Sequence, residues 1–416
     1  IEPTPSPITE TLLANKSLVG AIEINNTLDD SGFSFDNVAG SSDSGLIKMK
    51  STENDDYPIY YYRGAVNNNN VIFGGFCWKI VRTTETGGTK LIYNGTPSGG
   101  QCTATGANTQ IASTQFNNSL YSVAYVGYKY GSVHPSSSSR SISGTANCGK
   151  GVSWDGTQYT LTDQTGTQTI KSVIRNNHYS CWNDSGTCSS PSYVIHSDNG
   201  TTVWYFNLQN GQTHQDLLNA MLSNDGSVAS NAYNIVNTWF RNNLSGSTNS
   251  YLEDTVFCND RSIFDYGMWD INTTSGALLL EAYDRLQNNK SPVFTCQNLG
   301  DRFTVSSSNG NGQLEYPVGL LTADEYVLAG AKWFTENSSF YLWNGEYQWT
   351  LTPYGVSYAG EAQMFYLDDG GNLSNYYVND SDGEGLRPVV SLNKAAYFDS
   401  GDGTSNNPYV VHLDPT

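Results

Sequence analysis

Apolar residues in this chain follow two spacings, and each spacing keeps to its own stretches. Alternating or short continuous apolar runs, the mark of strands, occupy both ends of the chain. The early ones are YPIYYYRGAV (57–66), VIFGGFCWKIVR (71–82) and TKLIYNG (89–95). Residues 76–93 read as a β-hairpin turning at Gly87-Gly88, with Trp78, Ile80, Leu91 and Tyr93 on one face. Gly74-Gly75 is expected to mark a bulge or a close backbone crossing. The late runs are SSFYLWNG, EYQWTLTP, AQMFYLDD, GNLSNYYVN, LRPVVSLN and NPYVVHL. Turns at Asn344-Gly345, Asp369-Gly370-Gly371 and Gly401-Asp402-Gly403 separate some of them. Pro388 has no N–H to donate, so it suits the start of a strand over 389–392. That strand is expected in the core beside the first hairpin, so that both ends of one domain meet in one sheet.

Helical spacing appears in three places. THQDLLNAMLSN (213–224) opens with the capping pair Thr213 and Asp216. Residues 230–244 place Ala232, Ile235, Val236, Trp239 and Phe240 on one side. Residues 275–287 place Leu278, Leu279, Ala282 and Leu286 inward. A short helix should follow Thr322, where Thr322 and Glu325 have capping-box spacing and Asp324 suits the first turn. The pattern fails over 95–212, which is dense in Gly, Ser and Thr, with strand candidates such as YTLTD and PSYVIHS. The expected organisation is an N-terminal arm and linker (1–43) and a main domain (44–416) carrying 95–212 as a disulfide-stapled insertion subdomain. The class is α+β, β-rich, with three main helices.

Composition narrows the partners. Charged residues are 14% of the chain and the formal net charge is −19, against about 25% charged in ordinary domains. An acidic chain without a basic patch is unsuited to nucleic acid or anionic lipid. No apolar run is long enough for a membrane helix, which excludes that form of insertion. The opening IEPTPSPITE reads as the exposed start of a processed chain.

Seven cysteines and low lysine content favour an exported, disulfide-bonded protein. Cys181 and Cys188 bracket a short polar loop, and Cys258–Cys296 and Cys102–Cys148 are the other expected pairs. Cys77, inside the apolar run FGGFCWKIV, is the expected buried free thiol. Twelve Asn-x-Ser/Thr triplets occur, a count that an Asn- and Ser-rich composition produces by chance.

Candidate chemistry is sparse, and no catalytic residue is assigned. No zinc spacing, serine elbow or phosphate loop occurs. Asp380, Asp382 and Glu384 form the best trio for calcium, although ordinary turns also explain acidic loop sequence; otherwise no cofactor is expected. Aromatics crowd between 333 and 354. Sugars stack on such rings, and Trp343, Asn344, Tyr341, Tyr347 and Tyr354 are the candidate ligand residues. Large rings equally often fill cores.

Five fragments form a set with a familiar look: YYYRGAVNNNNVIFGGFCWKIVR, KLIYNG, YPVGLLTADEYVLAG, YQWTLTP and GLRPVVSLN. Together they resemble exported surface proteins of Gram-positive bacteria whose C-terminal module is similar to the formylglycine-generating-enzyme-like, C-type-lectin-like fold. The matching positions are Trp78 and Lys79, Trp239 and Arg241, Thr322 and Glu325, Trp349 to Pro353, and Gly385 to Leu392. The resemblance implies a mixed scaffold that displays binding loops. The oxidase version of that fold needs a reactive cysteine pair near its end, and this chain has no cysteine after Cys296. The expected function is therefore a non-catalytic extracellular adhesion domain that recognises a glycan or a surface glycoprotein. A structural part of a surface filament, self-associating through the N-terminal arm, is the first alternative. A carboxylate-dependent hydrolase is the second.

Overall fold

The computed structural model describes residues 17–26, 28–29, 34–40, 44–49, 57–118, 127–129, seven strands between 152 and 206, and residues 229–246, 248–265, 278–356, 362–380 and 382–412. Its principal helices are α1 (Leu18–Asn25), α2 (Asn231–Asn243) and α3 (Ala323–Ala329). The strands of the first half are β1 (Gly45–Met49), β2 (Ile59–Arg63), β3 (Asn70–Phe73), β4 (Phe76–Thr83), β5 (Thr89–Tyr93) and β6 (Ala112–Thr114). Then follow β7 (Leu252–Glu253), β8 (Leu278–Leu280), β9 (Gln348–Val356), β10 (Ala362–Leu367) and β11 (Leu373–Tyr377). The chain closes with β12 (Glu384–Leu386), β13 (Val389–Leu392), β14 (Phe398–Ser400) and β15 (Tyr409–Val411).

One sheet is built from both ends of the chain, as the strand pattern predicts. β13 runs antiparallel to β5, with Val390 opposite Leu91. β15 lies parallel to β3 on the other side of the first hairpin. Trp78 and Val390 are fully buried in one core. Pro388 sits just ahead of its strand, and its carbonyl accepts the Tyr93 N–H at 2.8 Å. Gly74 and Gly75, at φ +59° and +83°, form a two-residue turn between β3 and β4, not a bulge. Only residues free of a Cβ take two successive positive φ values at little cost.

A second sheet carries β8, β9, β10 and β11 in that order, with β12 beside β9 and β6 beside β12. The insertion contributes a separate sheet in the order 203–206, 193–197, 166–175, 159–163, 152–154. The described fold is thus a mixed α+β domain.

The helix expectations meet mixed outcomes. α2 forms with Ser230 as its N-cap, and Ala232, Val236 and Phe240 are buried. Residues 213–224 lie outside the described residues. The third helix is shorter than its spacing suggests. Leu278–Leu280 pairs as a strand between Ile263–Asp265 and β9, and only residues 281–288 are helical. Pairing with two flanking strands outweighs the helical preference of three leucines, because tertiary context overrides local propensity. In the arm, α1 docks on the body, burying Leu18, Ala21 and Ile22.

The cysteine pairing departs from expectation in one part. Cys258–Cys296 forms. Cys77 is not a free thiol: it is bonded to Cys102, so Cys102 does not pair with Cys148. The reason is a tight return of the chain. Cys77 N–H donates to Gly95 O at 2.9 Å, and the 95–102 loop then brings the two Cα atoms to 5.6 Å. The Cys181–Cys188 pair lies outside the described residues, although strands 182–183 and 186–187 pair between those positions.

Two buried basic clusters join the sheets. Glu325 receives Arg82 at 3.0 Å and Lys90 at 2.6 Å, while its other oxygen closes the capping box with the Thr322 N–H. Burial alone would raise this acid, but Lys90 and Arg82 outweigh it and hold the pKa at about 2. Asp324 takes both arms of Arg285, at 2.7 and 2.8 Å. These residues serve the scaffold. The second cluster is Arg387, which donates to the carbonyls of Tyr93 and Leu342 and to the side chains of Asn94 and Gln348. By holding Leu342 and Gln348 it clamps both ends of the segment that carries Trp343 and Tyr347.

Candidate functional site

The β10–β11 hairpin positions most of the site. Tyr366 and Ser374 face one another across it, and Tyr376 lies two residues on, so the three share one face. Tyr347, just before β9, stacks on Tyr366 at 6.0 Å between centroids and 15° between planes. Tyr376 meets Tyr366 edge-on at 5.9 Å. Tyr347 is 45% exposed and Tyr376 40%, so two of the three rings open to solvent. Beneath them Trp349 packs edge-on to Tyr366 and is itself buried. Trp343 stands at the hairpin turn, 36% exposed, with its indole N–H on the carbonyl of Asp369 at 2.8 Å.

Carboxyl groups border the rings. Asp368 and Asp369 lie in the turn, and Tyr347 senses both. Glu384 lies below, on β12, opposite Thr114 of β6. Gly383 and Gly385 flank it for a steric reason. A Cβ at Gly383 would strike the Thr114 backbone at 2.8 Å, and one at Gly385 would overlap the Gln110 side chain. Glu384 is 3% exposed and its Oε2 has no hydrogen-bond partner. Burial, then the neighbouring charge of Asp380, push its pKa up to about 9. At neutral pH it is a neutral acid beneath a ring of acidic neighbours.

The rings expected to bind ligand thus separate. Trp343 and Tyr347 are exposed, as expected. Tyr341 is not: it is 6% exposed and packs edge-on to Tyr62. Strand alternation does not govern it, because residues 340–342 form a turn whose aromatic side chains point into the core. Tyr354 lies on the other side of the second sheet, stacked on Trp333 at 5.4 Å. Asn344 spends its amide inside the loop, on Thr109 Oγ1 and the Glu346 N–H. Asp380 and Glu384 do come together, with Asp382 close enough to be felt. Even so, no group of three acidic, histidine or cysteine side chains among the described residues could hold a metal.

Sequence reasoning missed Tyr366, Tyr376 and Phe334. The hairpin register was the available signal for the two tyrosines, because a turn at 369–371 sets Tyr366 and Tyr376 on the same face. Phe334 follows Trp333 in a tight turn, at φ +48° and 63% exposed. A bulky residue in that left-handed region carries a strain of about 1–2 kcal/mol.

A separate cleft of about 290 Å³ is lined by Glu85, Glu253, Asp254 and Arg302, among others. Glu253 is raised to about 7 by burial. Asp254 already accepts the N–H groups of Val305 and Ser306, and Glu85 faces Arg82 at 3.5 Å. Glu253 accepts the Thr84 hydroxyl at 3.0 Å, so all three of these carboxyls already have partners within the fold. Among the described residues no helix is long and apolar enough to cross a membrane. Compared with family models, curated proteins and solved structures, the chain finds no match.

Proposed function

We propose that this protein is a non-catalytic glycan-binding domain of an exported surface protein, with its ligand on the face formed by Tyr347, Tyr366, Tyr376 and Trp343. One observation carries the reading: solvent-open rings rest on a rigid hairpin directly beside the carboxylates of the turn. Sugar rings present apolar C–H faces that stack on aromatics, while their hydroxyls donate to carboxylates and carbonyls. The rings here are held by packing from below, so little freedom is lost on binding. The two described disulfides suit an extracellular setting. In the same reading the mixed fold is of the C-type-lectin-like kind, with the chain ends closed in one sheet and the binding loops displayed from it.

A printed glycan array tests the reading. Wild-type protein should bind one group of glycans, and Tyr347→Ala should abolish that signal while the thermal midpoint stays unchanged. An array without any signal, or a signal that survives Tyr347→Ala, would remove the reading.

A further inference from the structure

We infer that the ligand is an extended oligosaccharide that crosses the β10–β11 turn and reaches a second contact ring, Phe334, on the far side. This rests on the glycan reading above and specifies the ligand class. The turn, residues 368–372, is laced to two loops. On one side the Trp343 indole donates to Asp369 O. On the other, Phe334 N–H donates to Leu373 O at 3.0 Å and Asn337 N–H donates to Gly370 O at 3.0 Å. Glu336 lies against Gly370, where an added Cβ would come within 3.2 Å of its side chain. Exposed rings therefore flank one short acidic turn on both sides, and a single sugar unit would engage only one of them.

Phe334 is an unusual residue for its place. Three non-glycine residues among those described have positive φ: Asp260, Lys290 and Phe334. Asp260 holds Arg285 and Lys290 holds Asp36, each at 2.7 to 2.8 Å, so their strain accompanies an ion pair. Phe334 has no polar group, and its ring rests edge-on against Trp333 at 4.5 Å with most of its surface in water. Glycine or asparagine would occupy this turn with less strain. Strained backbone that gives the fold little in return gathers at ligand contacts. Ring contact with a sugar explains why phenylalanine stands there.

Chain-length dependence tests the inference. Affinity is measured by calorimetry for cellobiose and cellohexaose, chitobiose and chitohexaose, and maltose and maltohexaose. In the series that binds, wild type should prefer the hexamer. Phe334→Asn should weaken hexamer binding about fivefold to tenfold, the loss of one ring contact, and leave dimer binding unchanged. Its thermal midpoint should hold or rise, because asparagine relaxes the backbone, and Phe334→Trp should retain hexamer affinity. Equal wild-type affinity for dimer and hexamer would overturn the inference. So would a Phe334→Asn protein with unchanged hexamer affinity, or one that loses dimer and hexamer alike. Tyr347→Ala separates the two readings: if it abolishes binding while Phe334→Asn has no effect, the glycan face stands and the extended ligand does not. Wild-type protein that binds none of the six sugars would overturn the inference, while the glycan face itself stands or falls on the array.

Discussion

Glu325 and Glu384 are buried to the same degree, 3% exposed each, yet they carry opposite charge states. Glu325 lies in the joint between the sheets, where Arg82 and Lys90 meet one oxygen and a backbone N–H meets the other. Its pKa falls to about 2 and it is a charged, fully used group. Glu384 lies under the candidate ligand face with acids as its charged neighbours, and its pKa rises to about 9. Burial alone penalises a carboxylate in both places; the neighbours decide the outcome. The scaffold satisfies its buried charge, while the proposed binding region keeps an acid whose ionisation is opposed. Such a difference is expected between residues that hold a fold and residues beside a ligand surface.

The largest test of this contrast is Glu325→Gln. It leaves Lys90 buried without its anion and Arg82 with Glu85 alone, and should cost about 3–5 kcal/mol in urea denaturation. A loss under about 1 kcal/mol would show that the joint is not held by this network.

Glu384→Gln should act with the opposite sign. A carboxyl whose folded pKa is raised keeps its proton in the native state after the unfolded chain has lost it. Its contribution is therefore greatest below pH 4.5 and declines as pH rises toward 9. Glutamine cannot ionise, so the variant should gain on wild type as pH rises above 4.5, by about 1.4 kcal/mol per pH unit, and differ little at pH 4. Glu325 gives the mirror image: its contribution is present above pH 4.5 and is lost as pH falls toward 2. Denaturation curves at pH 3, 4, 6 and 8 read both limbs. A Glu384→Gln gain that is the same at every pH would break the comparison.

The smallest stability effect belongs to Tyr347→Ala. The exposed ring supports no other core group, so the variant should stay within about 0.5 kcal/mol of wild type while glycan binding disappears. A much larger loss would make Tyr347 part of the scaffold.

The pattern of the chain foretold the joint better than the face. Val389, Val390 and Leu392 after Pro388 read as a buried strand and are one, and the first hairpin keeps its predicted face. Thr322 and Glu325 read as a helix cap and form it. Local signals of this kind depend on neighbours a few residues away, which the sequence displays. The site was legible only in part: Trp343 and Tyr347 are exposed, but Tyr341 and Tyr354 look alike in sequence and lie elsewhere. The hairpin turn at 369–371 signals that Tyr366 and Tyr376 share a face, but the stacking of Tyr347 on Tyr366 depends on how a separate segment packs, and no single run states it.

Sequence alone determined the elements whose cause is local: strand period, a proline at a strand's start, a capping box and an α2 face at helical spacing. Tertiary structure alone decided that Cys77 meets Cys102, that Leu278–Leu280 is a strand, and that one buried glutamate is charged while the other is not. Those outcomes depend on which distant groups share a small volume, because pairing edges, thiol geometry and low-dielectric electrostatics act through space and not along the chain.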